Sequence, residues 1–316
     1  MEITVIGHLC KDRILFEGES QPAAVQFGGL IYSVAALSAA SRIGDVIRPV
    51  CSVGVNEFEE ARALLLTFPF VSVEGVFPVN GPTNEVTHIY GSPGTPRIEC
   101  SVGIADPIPF TRVKPFLEVD GVLVNMVSGL DVTLETFDNI RMAVRDRRVP
   151  IHFDFHALTL GIDGNSKRFR RPLTDWRRWC FMLHSVQMSE QEALGLTAEK
   201  YDEKTLINQL MPLMVQGLAI TRGEQGVTLI TQDVHKHLTR HDIPGVPVTA
   251  VDTTGCGDVF GATFFASAIL NTDFRVAAER ANTVAALHAS LPVQNKAAAI
   301  VERARGFAAP AMGSTA

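Results

Sequence analysis

The chain has 316 residues, 46% hydrophobic and 20% charged, with a formal net charge of −6. That length suits one large α/β domain, or a core with a small appendage, and the acidic balance argues against broad binding to nucleic acid or anionic membrane. The opening Met1-Glu-Ile-Thr-Val has no basic segment ahead of an apolar one, and no stretch is long and apolar enough to span a membrane. Five cysteines, at 10, 51, 100, 180 and 256, form no C-x-x-C pair, so reduced thiols and a cytoplasmic location are expected.

Residues 3–7 are a β-branched run that reads as a buried first strand. Alternation continues over 9–16, breaks at Glu17-Gly-Glu-Ser, and returns at 23–27 as a partner strand. Gly28-Gly29 then opens an apolar, small-residue stretch, 30–41, expected to be a buried helix. A strand at 46–53, a helix at 58–66 and a strand at 71–79 follow. Residues 80–105 break the pattern with Gly81-Pro82, Gly91, Pro93-Gly94 and Pro96 around β-like pieces at 85–90 and 97–102. Segments 10–27 and 80–105 together predict a small antiparallel β-sheet lid, set on an α/β core of residues 1–9, 28–79 and 106–307.

From 119 onward, strands at 121–127 and 151–155 alternate with a helix at 133–147. This predicts a mostly parallel sheet with helices on both faces. Residues 160–180 read as a polar insertion carrying the basic cluster Lys167, Arg168, Arg170, Arg171, Arg177 and Arg178 near Trp176 and Trp179, expected as a solvated loop or subunit contact. A strand at 181–186, helices at 189–195 and 202–216, and strands at 218–221 and 226–231 come next. Residues 308–316 are expected to be a disordered tail.

The most informative stretch is 246–270. A β-rich run, 246–251, feeds a polar glycine-containing turn and then an almost wholly apolar helix, which must be buried. Gly255 and Gly257 sit where that helix begins, and glycine there costs helix stability. The free amides and dipole of a helix start make an anion site. Asp258 in the first turn would repel a bound phosphate unless it orients a hydroxyl and takes its proton. A plain helix cap by Asp252 or Thr254 needs only one such residue. A dinucleotide fingerprint would come earlier in the chain, and it would set Asp258 against the pyrophosphate.

Asp252, Thr253, Gly255, Gly257 and Asp258 resemble the signature of the ribokinase-like (PfkB) carbohydrate kinase family, D-T-x-G-A-G-D before an apolar helix, with Cys256 in place of alanine. The resemblance implies a three-layer α/β/α fold. It also implies an anion hole from the amides of Gly255, Cys256 and Gly257, and Asp258 as catalytic base. Thr221-Arg-Gly223-Glu-Gln-Gly226, by itself a hairpin turn, matches the family's T-x-G-x-x-G and so implies ATP contacts from Thr221, Gly223 and Gly226. Asn282 falls on the late helix that borders the adenine in that family. Ser189-Glu-Gln-Glu192 is a capping box on its residues alone. It also resembles the family's N-x-x-E, which implies that Glu192 organises Mg2+ through water and that Ser189 lies by the nucleotide.

In the N-terminal third, Gly7 to Asp12 resembles the opening strand whose aspartate binds substrate hydroxyls. Gly28-Gly29-x-x-x-Ser33-x-Ala35 resembles G-G-x-x-x-N-x-A. Asp12, Gly28, Gly29, Ser33 and Asn125 are therefore assigned to substrate. The expected activity is ATP- and Mg2+-dependent phosphorylation of a hydroxyl on a sugar, nucleoside or related polyol. A monovalent cation is admitted, no nucleic-acid or membrane partner is expected, and the lid offers a homodimer contact. The alternative is a protein of this fold that binds nucleotide or sugar without turnover. Cys10, Leu30 and Ser33 replace more polar residues of ribose kinases, so an apolar pocket favouring a nucleoside or inositol over free ribose is expected.

Overall fold

The computed structural model describes residues 1–91, 97–270 and 273–305; the expected tail and the Pro93–Pro96 part of the lid lie outside them. The first third runs β1 (Glu2–Ile6), β2 (Leu9–Phe16), β3 (Ala24–Gly29), α1 (Leu30–Ala40), β4 (Val46–Gly54), α2 (Phe58–Leu66), β5 (Val76–Val79), β6 (Asn84–Tyr90) and β7 (Ile98–Val102). The middle runs α3 (Phe110–Val113), β8 (Gly121–Asn125), α4 (Leu134–Val144), β9 (Ile151–Asp154), β10 (Leu160–Ile162), β11 (Arg168–Arg170) and α5 (Trp176–Trp179). The last third runs β12 (Ser185–Ser189), α6 (Glu190–Gly195), α7 (Glu203–Leu210), β13 (Gly217–Thr221), β14 (Gly226–Gln232), β15 (Leu238–Pro244), α8 (Cys256–Leu270), α9 (Phe274–Ala289) and α10 (Lys296–Ala304).

Nine strands form the main sheet in the order β15-β14-β13-β12-β9-β8-β1-β4-β5. All neighbours from β5 to β13 pair in parallel, and β14 and β15 close the far edge as an antiparallel meander. The central strands are buried on both faces, which is why β8 reads Gly-Val-Leu-Val-Asn with every residue inside. One core beneath the sheet gathers Phe137, Phe153, Trp179, Leu206 and Leu210 under α4, α5 and α7. The opposite core gathers α1, α8 and α10 around Leu37, Val259, Phe265 and Ile300. From β1 the strand order departs in both directions, to β4 on one side and β8 on the other. Ligands in such sheets bind outside the carboxyl ends of the strands at that switch point.

The second sheet, β3-β2-β6-β7, forms over this edge. It is not wholly antiparallel as expected. Two antiparallel hairpins, β2–β3 and β6–β7, join through a parallel β2–β6 pair running from Cys10 opposite Asn84 to Phe16 opposite Tyr90. The long crossover through β4, α2 and β5 lies between the two hairpins, and such a connection permits parallel pairing.

Several boundaries differ from the sequence expectation. The strand expected at 71–79 is only Val76–Val79, with one isolated bridge at Val71. The strand expected at 181–186 starts at Ser185, because Met182 takes a left-handed φ of 56° in a turn. The helix expected at 202–216 stops at Leu210, where Met211–Leu213 tightens to a 3-10 turn holding a proline and Met214 has a φ of 67°. Residues 160–180 are not a plain polar insertion: they fold as the β10–β11 hairpin and α5, and α5 buries Trp176 and Trp179 in the core. The strand expected at 246–251 is absent. Val246, Val248 and Val251 are exposed there, and Pro247 withholds a ladder donor. The last strand is instead β15, which pairs with β14 through Pro244.

Candidate active site

Residues 252–255 form the turn into α8, and two deep anchors shape it. Asp252 accepts from Lys296 Nζ at 2.9 Å, from Tyr90 OH at 2.6 Å and from the Thr254 amide at 2.9 Å. Burial works against the Asp252 charge, but Lys296, Tyr90 and the Thr254 amide outweigh it and hold the carboxyl down at about 2. His288 Nε2 lies 3.0 Å from Thr254 O, and its ring meets Tyr32 edge-on. Burial, with Lys296 nearby, pushes the His288 ring down to about 3, so it is neutral and donates from Nε2.

The two glycines of the turn are there for different reasons. Gly255 has a φ of 81°, and a Cβ on it would lie 2.6 Å from the Tyr32 ring. Gly257 has no such restriction: its nearest neighbour would be Gln187 Nε2 at 3.7 Å. Farther along α8, Gly261 is required by packing, since a Cβ would meet Gln187 Oε1 at 2.5 Å. The Cys256 amide donates to Thr253 O at 3.2 Å. Among the described residues the Gly255 and Gly257 amides have no acceptor, so they are the amides open to an anion.

Asp258, in the first turn of α8, is buried. Asn125, at the carboxyl end of β8, donates Nδ2 to Asp258 Oδ1 and to Ser33 Oγ at 3.2 Å. Ser33 Oγ in turn reaches Asp258 O at 3.5 Å. His156 Nε2 stands 3.7 Å from the same carboxylate, from a backbone with a left-handed φ of 39°. Burial raises the Asp258 carboxyl above the usual range and the negative Asp12 adds to this; His156 and Asn125 pull it partly back.

Asp12 lies on β2 of the second sheet, buried and held on both oxygens. Tyr32 OH donates to Oδ2 at 3.1 Å, while Cys10 Sγ and His88 Nε2 reach Oδ1 at 3.2 Å. Gly28 lies directly behind it, where a Cβ would sit 1.9 Å from Asp12 Oδ2. Gly29, with a φ of 59°, then turns the chain into α1. A cavity of about 50 Å³ lies between the second sheet and the α8 turn. Asp12, Gly29, Tyr32, His88, Arg97, Glu99, His156, Arg168, Gly255 and Asp258 all line it.

The wall contributed by β6 and β7 is charged, contrary to the apolar pocket expected from Cys10, Leu30 and Ser33. His88 stands between Asp12 and Glu99, 3.7 Å from the latter. Burial would lower the His88 pKa, but the bonds to Asp12 and Glu99 raise it. Arg97 pairs with Glu99 and reaches Tyr90 OH at 3.1 Å. Arg168, from the expected basic cluster, is buried and donates to Ser101 Oγ at 2.6 Å and Glu99 at 3.3 Å. Burial opposes the charge on Glu99, yet His88, Arg97 and Arg168 hold its pKa well below the usual value. Leu30 packs in the core and does not line the cavity.

The residues assigned to nucleotide lie elsewhere. Thr221 ends β13, and Gly223 (φ 58°) and Gly226 (φ 97°) frame a 3-10 turn closed by the Arg222 amide on Gly226 O at 2.8 Å. A Cβ on Gly226 would strike Ile243 O at 2.1 Å. Asn282, on α9, donates to Pro244 O at 2.8 Å. It lines a cleft of about 490 Å³ together with Ile243, Pro244, Val246, Arg275 and Thr283. Ser189 and Glu192 do form a capping box, with Ser189 N on Glu192 Oε2 at 2.7 Å and Glu192 N on Ser189 Oγ at 3.2 Å. Asp154, at the carboxyl end of β9, is buried beside them, and its carboxyl is raised by burial first and then by the charges of Glu192 and Asp258. Burial likewise raises Glu192. Among the described residues no group of three or more His, Cys, Asp or Glu side chains is spaced to hold a metal directly, so Asp154 and Glu192 could meet a divalent cation only through water.

Sequence reasoning missed His156, Asp154, Tyr90, His88, Arg97 and Lys296. The first two had a signal, since Asp154-Phe-His156 ends a predicted central strand where ligands gather. The others had none, because only the pairing of β6 with β2 and the packing of α10 bring them to the site.

Comparison with known proteins agrees with this fold. The model of the pfkB family carbohydrate kinases matches residues 172–293. Ribokinase of Bacillus subtilis (strain 168) is 26% identical over 253 residues, covering 79% of this chain and 77% of that protein. A pyrophosphate-dependent kinase in the ribokinase family, solved with a pyrophosphate analogue and myo-inositol, superposes with a TM-score of 0.72 at 16% identity, over 92% of this chain and 96% of that one. A putative ribokinase II from E. coli, solved with ATP and Mg2+, gives 0.72 at 16% identity, over 97% and 98% of the two chains. In sequence, residues 172–293 resemble the pfkB family carbohydrate kinases, and the whole chain shares the fold of solved ribokinase-family proteins.

Proposed function

We propose that this protein is an ATP-dependent kinase that phosphorylates a hydroxyl of a cyclic polyol or sugar. The observation that carries the proposal is the position of Asp258: a buried carboxylate of raised pKa, set in the first turn of α8 and facing Asp12 across one cavity. Asp12 holds neighbouring hydroxyls of the acceptor, since a carboxylate takes two donors side by side. Asp258 takes the proton of the reacting hydroxyl, with Asn125 and His156 fixing its orientation. The Gly255 and Gly257 amides receive the charge of the transferred group, and the helix start adds positive potential. Mg2+, when bound, supplies charge neutralisation across the donor phosphates, and Glu192 and Asp154 would hold it through water.

ATP is favoured as donor because the cleft beside Asn282 has both the volume and the mixed polar and apolar wall that a base needs. The charged wall of His88, Arg97, Glu99 and Arg168 favours an acceptor with hydroxyls on several sides over a nucleoside, whose flat base would leave those groups unpaired. The solved relative that holds myo-inositol supports the same acceptor class. A matrix of inositols, sugars and nucleosides against ATP and pyrophosphate tests this, read by phosphorylated product. Turnover confined to nucleosides would overturn the acceptor, and turnover confined to pyrophosphate would overturn the donor. Binding without turnover across the matrix would favour the non-catalytic alternative.

A further inference from the structure

Lys296, the first residue of α10, is fully buried, as is the carboxylate it meets. Its ammonium has three N–H donors, and each has an oxygen partner in the turn that precedes α8: Asp252 O, Asp252 Oδ2 at 2.9 Å and Thr254 O at 3.1 Å. Lysine is almost never fully buried without such pairing. Two main-chain carbonyls and one carboxylate converging on a point are the oxygen set of a cation site, and here the cation belongs to the chain.

The consequence for the turn is geometric. In a trans peptide the C=O and the following N–H point in opposite directions. Thr254 O is drawn back to Lys296 and His288, so the Gly255 amide of the same peptide is directed away from them. We propose that Lys296 is a positioning residue, a built-in cation that orients the Gly255 amide toward the anion, so that the protein requires no monovalent cation. A resident potassium or sodium ion does not fit behind the turn, because the oxygens it would use are taken by Nζ. Lys296 is itself located by the lid: Asn295, left-handed at φ 55°, donates its amide to Gln26 Oε1 of β3 at 3.0 Å, and Gln26 Nε2 donates to Val293 O at 2.8 Å.

This proposal rests on the kinase reading, and its test has one arm that depends on turnover and one that does not. In the first, kcat of the wild type is measured in potassium, ammonium and tetramethylammonium chloride at equal ionic strength. The three rates are expected to agree within twofold. Lys296→Ala is expected to lose at least tenfold in kcat in tetramethylammonium and to regain most of it in potassium or ammonium, which fit the vacated space. In the second arm Tm is read in the same salts. Potassium or ammonium is expected to raise Tm of Lys296→Ala by several degrees over tetramethylammonium and to leave the wild type unchanged. Wild-type stimulation by potassium, in rate or Tm, overturns the proposal. So does a folded Lys296→Ala with wild-type kcat, or one that responds alike to all three salts. If Lys296→Ala does not fold, the wild-type titrations decide. If no acceptor is phosphorylated at all, the kinase reading falls and the Tm arm still judges Lys296.

Discussion

Asp258 carries a tension between folding and function. Burial and the neighbouring Asp12 raise its carboxyl pKa, so ionising it in the folded protein is unfavourable. A group whose folded pKa is raised gives its full stability below the unfolded pKa and loses it as pH rises through the folded one. Asp258→Asn removes that loss. The variant is expected to show a higher Tm than wild type at pH 7, with the gap narrowing toward pH 4; a gap that widens on acidification would contradict the stated cause. The same substitution is expected to lower kcat by about two or more powers of ten while ATP affinity holds, because a general base contributes roughly that much. Steady-state rates and a nucleotide-binding titration check both halves. Asp252 behaves in the opposite sense. Its carboxyl is held at about 2 against an ordinary 3.8, so its stability is present above 3.8 and lost as pH falls toward 2. Acid unfolding of Asp252→Asn is therefore expected to lack the steep limb of the wild type in that window.

At the scale of the element, α8 explains why this chain spends glycines inside a buried helix. It packs between α1, α9 and the sheet, with Phe264 and Phe265 against His152. Gly261 lets the helix approach Gln187 and His152. Gly255 supplies the left-handed residue from which the helix starts, whereas Gly257 has helical backbone and room beside it. Gly255→Ala is expected to cost about 1–3 kcal/mol in a denaturant titration, through backbone strain and the clash with Tyr32. Gly257→Ala is expected to be neutral or to stabilise by up to about 1 kcal/mol, the helix-propensity difference. Equal penalties at both positions would show that the turn is not what demands Gly255. The kinase reading assigns Gly257 to the approach of an anion, and Gly257→Ala is then expected to weaken phosphate binding in a folded protein.

For the molecule as a whole, the cavity between lid and core matters most. Its enclosed volume is about 50 Å³. The lid is joined to the α8 turn by Tyr90, which reaches Asp252 and Thr254, and by Gln26, which holds the segment before α10. Movement of the sheet of β2, β3, β6 and β7 is the expected route by which an acceptor enters, and closure over it would exclude water from the reaction. Hydrogen exchange with acceptor and a non-hydrolysable ATP analogue is expected to slow amides of β2 and β6 relative to the free protein. Unchanged exchange there, with binding proven by another probe, would rule out the lid as the moving part. Tyr90→Phe should loosen the same coupling, raising KM for the acceptor more than it lowers kcat.

Much of this protein was legible along the chain wherever the governing physics is local. The apolar run of α8, the glycine turn before it, the alternation of strand and helix, and the motif residues at strand ends depend on spacing within a few residues. Their spacing carries the resemblance to the pfkB signature and singled out Asp12 and Asp258 as candidates. Tertiary structure decided whatever depends on partners distant in sequence. The lid's parallel β2–β6 pair needed the intervening crossover to be in place. The run 246–251 has strand composition, but Pro247 and the β13–β15 meander exclude it from the sheet. The charged wall of the cavity comes from residues that read as ordinary surface until β6, the β7 hairpin and β11 bring them together. Lys296 is one lysine among 28 basic residues in the sequence. It becomes a buried cation only because α10 docks behind the turn that starts α8, and electrostatic pairing over 44 residues leaves no periodic trace in the chain.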